Sequence, residues 1–273
     1  MYQTQNVKLT SDLHPVDRGI KFGIRRFNIW MSRIGDGIHI HKYLEIFFNL
    51  AADATFFVNN ELYPTSPGDA VVSRPNDLHV CIFNTPMYHE YFCLWIDLGD
   101  AGELLSFLNT EEFTPHFTFD KDSSARMKEV LEGLHGLSGR EGDALLRTSY
   151  LFEVLAILKN SAPRRRENLM PLPLTRILTD IDESFSEISS VAEIASRHFV
   201  STSTLDRWFR EYIHTSPKKY LESKKLAYAA RLLETGSGVT EASEAAGFSD
   251  CSHFIVLFKK KFGTTPLKYK KRK

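Results

Sequence analysis

Apolar residues recur with two different periods along this chain, and the change of period divides it. Up to about residue 115, the runs IHIHKYLEIFFNL, ATFFVNNELYPTSPGDAVVSRP, LHVCIF and YHEYFCLWIDL are short and rich in aromatic and β-branched residues. The turn clusters NNE, TSPGD, RPND and NTP punctuate them. Such runs predict many short strands arranged as a sandwich or barrel. After Asp120 the spacing becomes helical, with helices expected over 124–138 and 142–160. The second places Leu146, Leu151, Val154, Leu155 and Leu158 on one stripe. SAPRRRENLMPLP, residues 161–173, has no apolar period and reads as a linker. Beyond it the pattern is helical as far as the basic tail KYKKRK.

The helical part contains a repeat. SVAEIASRHFVSTSTLDRWFREYIHTSPKKY (190–220) aligns with GVTEASEAAGFSDCSHFIVLFKKKFGTTPLKY (238–269). Val191 pairs with Val239, Glu193 with Glu241 and Ser201 with Ser249, at an offset of 48. Phe209 then pairs with Phe258, Thr215 with Thr264, Pro217 with Pro266 and Tyr220 with Tyr269, at 49, so the second copy carries one inserted residue. Each copy reads as a short helix (191–198; 240–246), a tight turn marked in the second by Gly247, and a second helix opened by a Ser or Asp cap. The cap is Ser201 in the first copy and Ser249 or Asp250 in the second.

This is the grammar of a helix-turn-helix, whose second helix lies in the major groove. A helix from Ser216-Pro217 to Gly236 joins the copies. Its ~18 residues span ~27 Å, comparable to the ~34 Å between successive major-groove faces of double-stranded DNA. Lys259, Lys260 and Lys261 end the second reading helix and are expected beside the phosphate backbone, where they supply affinity and register.

Charge supports that division. The chain is neutral, with 34 basic and 34 acidic residues, but 163–273 holds 20 of the former and 13 of the latter, a net +7 against −7 for 1–162. The basic half is the candidate for an anionic polymer. No stretch approaches the length of a membrane span, the N-terminus lacks the layout of a secretory signal, and Cys81, Cys93 and Cys251 show no C-x-x-C spacing, so a cytoplasmic protein with reduced thiols is expected. G-x-S-x-G, a phosphate-cradling glycine loop and H-E-x-x-H are all absent from the sequence.

EIASRHFVSTSTLDRWFREY, SPKKYLESKKLAYAARLL and EAAGFSDCSHFIVLFKKKFGTTPLKY resemble the DNA-binding domain of the AraC/XylS transcription regulators. Gly247-Phe248, Asp250, Phe254, Phe258-Lys259-Lys260, Gly263 and Thr265-Pro266 carry the resemblance. His214 departs from it where glycine is usual, Lys225 where arginine is usual, and Ile255 and Val256 where polar or basic residues are usual. The resemblance implies an α+β fold in two domains: a cupin-like effector-sensing and dimerisation β-barrel with its following helices (1–162), a linker (163–172) and a double helix-turn-helix domain (173–273).

It places DNA contacts at Ser201, Thr202, Ser203, Asp206 and Arg207 in the first unit. In the second it places them at Ser249, Asp250, Cys251, Ser252, His253, Val256, Lys259 and Lys260. Ser203, Asp206 and Arg207 would read bases in the first groove, and Cys251, Ser252 and Val256 in the second. Arg207 can bond a guanine bidentately whereas Val256 can only touch a thymine methyl or pack, so the first helix is expected to discriminate more. The resemblance further implies a homodimer through the helix at 142–160, whose leucine stripe equally suits packing on the barrel. It implies no cofactor, and RNA polymerase as a partner if the protein is an activator.

HIHKYLE supplies His39, His41 and Glu45, and RPNDLH supplies His79. These are the ligand types of a cupin metal centre, and on a strand His39 and His41 would share one face. The resemblance implies instead an effector site without metal, and Pro75 and His79 stand closer together than in metal-binding cupins. His39, His41, Glu45, Phe47, His79, Tyr91 and Trp95 are the expected effector-binding residues. Aromatic walls with a few polar groups suit a sugar or other polyol. Structural histidines at the barrel rim are a third reading. Residues 1–20 could fold over the pocket as an arm.

The function expected is a sequence-specific, effector-responsive transcription regulator and not an enzyme. A metal-dependent cupin enzyme tethered to DNA and an effector-independent DNA binder are the alternatives.

Overall fold

Strand β3 (Leu44–Ala51) is buried along six consecutive residues, because both of its faces are covered. Leu44, Ile46 and Phe48 point one way, into a cluster with Met127, Leu131, Leu151 and Leu158. Phe47 points the other way, against Phe56 and Val58. A computed structural model describes residues 14–15, 20–31, 37–97, 106–110, 113–137, 142–163 and 169–270. The residues 1–20 expected as an arm lie outside the described residues, apart from 14–15 and 20.

Two sheets and a helical domain form layers around that strand. β1 (His14–Pro15), β2 (Lys21–Met31), β8 (Met87–Asp97), β3, β6 (Ala70–Ser73), β9 (His116–Thr118) and β10 (Ala162–Pro163) make the larger sheet, in that spatial order. β2 and β8 pair antiparallel over their full length, from Lys21↔Asp97 to Met31↔Met87. The smaller sheet runs β5 (Glu61–Thr65), β4 (Ala54–Val58), β7 (His79–Phe83). Asn59 and Asn60 both take positive φ, 43° and 74°, which suits the two-residue turn of the β4–β5 hairpin.

Among the described residues the expected barrel does not close: the strands form two separate hydrogen-bonded sheets. Among the described residues a single bridge, His39↔His79, ties the segment before β3 to the smaller sheet.

Helices α1 (Lys121–Gly136) and α2 (Ala144–Lys159) cover the outer face of the larger sheet. Asp120 caps α1 by accepting from the Ser123 amide. On α2, Leu151, Val154 and Leu158 are buried, whereas Leu145 is 85% exposed and Leu146 and Phe152 are also open. The predicted stripe therefore fails at Leu146, and a second apolar face stands free.

The helical part comprises α3 (Leu172–Ser184), α4 (Val191–Arg197), α5 (Thr202–Trp208) continued by a π-turn over Phe209–Ile213, α6 (Pro217–Glu234), α7 (Val239–Ala245), α8 (Cys251–Phe262) and α9 (Pro266–Lys270). It packs on the outer face of the smaller sheet. Phe57, Val80 and Ile82 alternate with inward-facing neighbours along β4 and β7 and join one apolar cluster with Leu178, Ile181, Tyr220 and Phe258. Polar contacts pin that interface. Asn60 bonds Asp182 and Tyr220, Asn76 Nδ2 donates to Glu234 Oε2 at 3.1 Å, and Lys261 Nζ donates to the Ile38 carbonyl at 3.0 Å. No helix among the described residues is long and apolar enough to cross a membrane.

Candidate functional site

The repeat reappears in the caps and turns of the two units. Ser201 accepts from the Thr204 amide and starts α5; Asp250 accepts from the Ser252 amide and starts α8. The two caps stand 49 positions apart, so the inserted residue of the second copy is Ser249, in the turn ahead of the helix. Each unit turns through a left-handed residue before its reading helix, Phe199 (φ 55°) and Gly247 (φ 76°), and ends through another, His214 (φ 53°) and Gly263 (φ 69°). Glycine reaches that region without strain and a β-carbon does not. His214 thus adopts the conformation for which glycine is usual.

The first turns of both reading helices are open to solvent. Thr202, Ser203 and Arg207 are exposed, and Asp206 is half-buried and paired with Arg210 at 2.6 Å. Ser252 and His253 are exposed, Cys251 is half-buried, and Val256 is 64% exposed, a large fraction for an aliphatic side chain. Ser201 and Asp250 are exposed but engaged as caps, and Ser249 is exposed beside the cap.

Lys259 and Lys260 are exposed. Lys261, expected beside them on the phosphate backbone, is not available there. Its ammonium is directed to the Ile38 carbonyl and lies 3.4 Å from Ser223 Oγ, and burial lowers its pKa to about 8. The signal was in the spacing: Lys261 follows Phe254 and Phe258 by seven and three residues, and so falls on the buried stripe.

Lys225 holds the two units together. It is buried, and its Nζ donates to the carbonyls of Ile188, ahead of α4, and Gly247, in the turn of the second unit, at 2.9 and 2.8 Å. Nothing in the local sequence marked that role. α6 separates the units by 18 residues, ~27 Å of helix.

The histidines converge, though not on a strand. His39 sits in the isolated bridge, His41 in irregular backbone, and β3 begins only at Leu44. Ring centroids lie 4.3 Å apart for His39–His79, 4.9 Å for His41–His79 and 5.8 Å for His39–His41. Glu45 Oε2 accepts from Trp95 Nε1 at 2.6 Å, sits 2.9 Å from His41 Nε2 and 3.8 Å from His79 Nε2. Burial alone would raise the Glu45 carboxyl, but the His41 and His79 imidazoles hold it well below the usual carboxylate range. Burial and the neighbouring His79 push His39 down to about 3. Tyr91 and Phe47 lie farther along the same inter-sheet space, 4.8 Å apart, with Phe47 closed against Phe56.

Two helix-turn-helix units on one connecting helix, with open polar and basic turns, define a DNA-binding protein with two reading heads. A family profile described as a helix-turn-helix domain matches residues 194–272. The HTH-type transcriptional activator RhaS of Escherichia fergusonii is 24% identical over 84% of this chain and 85% of its own length. The HTH-type transcriptional activator RhaR of Mannheimia succiniciproducens is 22% identical over 86% and 87%.

Among solved structures, an AraC-type DNA-binding protein of Chromobacterium violaceum is 30% identical over 37% of this chain and 90% of its own, with a TM-score of 0.35. ToxT of Vibrio cholerae is 14% identical over 92% and 97%, with a TM-score of 0.39. Residues 194–272 thus form a helix-turn-helix domain of this type, and the relatives matched over most of the chain are transcriptional activators.

Proposed function

We propose that this protein is a sequence-specific transcription regulator in which residues 173–273 read DNA and residues 1–162 sense a small effector and mediate dimerisation. One observation carries the reading: two reading helices, capped by Ser201 and Asp250, stand at opposite ends of an 18-residue helix with their first turns exposed. Arg207 reads guanine in one major groove; Ser252 and Val256 touch bases in the next; Lys259 and Lys260 neutralise phosphates. The free apolar face of α2, Leu145 and Phe152, is the dimer surface. The effector occupies the space between the two sheets beside Tyr91 and Trp95; by class it is a sugar or other polyol. An activator of this design meets RNA polymerase once bound to its operator. The chain acts in the cytoplasm, where Cys81, Cys93 and Cys251 stay as free thiols.

Selection of bound sequences from random duplex DNA by the full-length protein tests this. Recovery of two short blocks about one helical turn apart is expected. Salt-sensitive binding without sequence preference would overturn it.

A further inference from the structure

We propose that His39, His41, Glu45 and His79 bind a divalent first-row transition-metal ion, and that the ion is a signal the DNA-binding domain reads. The coupling half of this inference rests on the regulator reading above; the metal site does not.

Three observations carry the site. First, one donor atom from each of the four residues lies within 4.8 Å of all the others. Donors ~2.1 Å from a common ion stand at most ~4.2 Å apart, so closure requires only small side-chain rotations. Second, all three imidazoles are oriented through Nδ1 by backbone carbonyls. Nδ1 of His39 faces the Gly37 carbonyl at 2.8 Å, Nδ1 of His41 the Tyr43 carbonyl at 3.1 Å, and Nδ1 of His79 the Asp77 carbonyl at 2.9 Å. A carbonyl only accepts, so each Nδ1 carries a proton; the Nε2 lone pairs of His39 and His79 are left for the shared centre, and His41, whose Nε2 donates to the Glu45 carboxylate without an ion, gives up that proton on binding one. Backbone carbonyls orient ligating histidines in this way.

Third, Nε2 of His79 is buried without a hydrogen-bond partner, in a residue only 1% exposed. An orphaned acceptor of that kind is costly unless something occupies the point it faces. Three imidazole nitrogens and one carboxylate suit Zn²⁺, Fe²⁺, Co²⁺ or Ni²⁺ rather than Mg²⁺ or Ca²⁺.

The route to the DNA-binding domain is four residues long. Along Ile38–His41 the side chains alternate. His39 and His41 face the cluster, while Ile38 and Ile40 belong to the apolar core shared with α3, α6 and α8. The Ile38 carbonyl accepts from Lys261 of α8, and the His41 carbonyl accepts from the amide of Asn76, whose side chain bonds Glu234 of α6. An ion that draws the two imidazoles together shifts the backbone on which the reading helix is docked. It acts through its different affinity for the two docked arrangements.

The test uses full-length protein stripped with EDTA and titrated with Co²⁺. One tightly held Co²⁺ per chain is expected, with the d–d bands of nitrogen and oxygen ligation. Glu45→Gln and His79→Gln, each checked for native circular dichroism, should weaken it at least about 100-fold. No retained Co²⁺ in the wild type, or a thiolate charge-transfer band from Cys81 or Cys93, overturns the site. Affinity for the selected operator is then measured with Zn²⁺ and with EDTA. A change of about tenfold is expected, diminished in Lys261→Met while Co²⁺ affinity stays intact. Unchanged operator affinity in zinc-loaded protein overturns the coupling. Failure to bind any DNA in either state would sink the regulator reading instead, with the Co²⁺ result still deciding the metal site.

Discussion

Lys261 of α8 donates from Nζ to the backbone carbonyl of Ile38, 223 positions earlier in the chain. A lysine in a basic run on a reading helix is thereby an interdomain contact, and the three consecutive lysines divide into two that face solvent and one that fastens the domains.

That contact makes the docking of the two domains pH-dependent. Burial lowers Lys261 to about 8 from its ordinary 10.5, with no carboxylate among the causes. Between those values the docked form binds fewer protons than the undocked or unfolded one, so stability rises with pH across the window and levels off above it. Below about pH 8 the full penalty of the buried charge is present. Thermal unfolding from pH 7.5 to 10 should show the wild type gaining on Lys261→Met; parallel curves would refute it.

Arg207 and Lys260 should fail differently. Arg207→Ala is expected to lose about 1–3 kcal/mol on the selected operator and little on random DNA. Lys260→Ala should weaken all sequences alike and reduce the salt slope by about 1. Fluorescence anisotropy on both DNAs at several salt concentrations separates them, and equal losses for the two variants would end this division of labour.

The left-handed turns offer a stability test. A β-carbon at Gly247 would sit 1.9 Å from the Ser186 carbonyl oxygen, at a φ of 76°. Gly247→Ala should therefore cost more than about 2 kcal/mol. Phe199 occupies the equivalent turn at φ 55° with its side chain 97% exposed. Phe199→Gly should stabilise by about 0.5–1 kcal/mol. Chemical denaturation of the two variants in parallel reads both signs.

Lys225→Met keeps much of the buried stem but removes the donor shared by Ile188 and Gly247. Two carbonyls lose a charged partner, and a loss of about 2 kcal/mol is expected. Hydrogen exchange should localise it to the turns on either side of α6; protection unchanged at those turns would mean that water replaces the ammonium without penalty.

Local periodicity made the elements legible where one face of each was buried. The reading helices, their caps and α6 follow from apolar spacing and from Ser201, Asp250 and Ser216. The Asn59-Asn60 turn was legible because only a few residue types tolerate its backbone. Long-range pairing was not. IHIHKYLEIFFNL reads as one strand, yet the ladder starts at Leu44, because residues 38–41 are claimed by β7 and the helical domain instead. The π-turn after Trp208 also left no mark. Phe209–Ile213 spells an ordinary helix, and the wide turn is closed by the His214 amide donating to the Phe209 carbonyl. The convergence of Glu45 with three histidines was suggested by residue type, but the orientation of the three rings through Nδ1 depends on three carbonyls that no pattern announces.

The alternation at Ile38–His41 constrains how this chain can vary. Substitutions there change one face at a time, but adding or deleting a single residue exchanges the faces, setting isoleucines before the Glu45 carboxylate and imidazoles in the helical core. Descendants of this sequence are thus held along those four positions to a fixed length, or to changes of two residues at once.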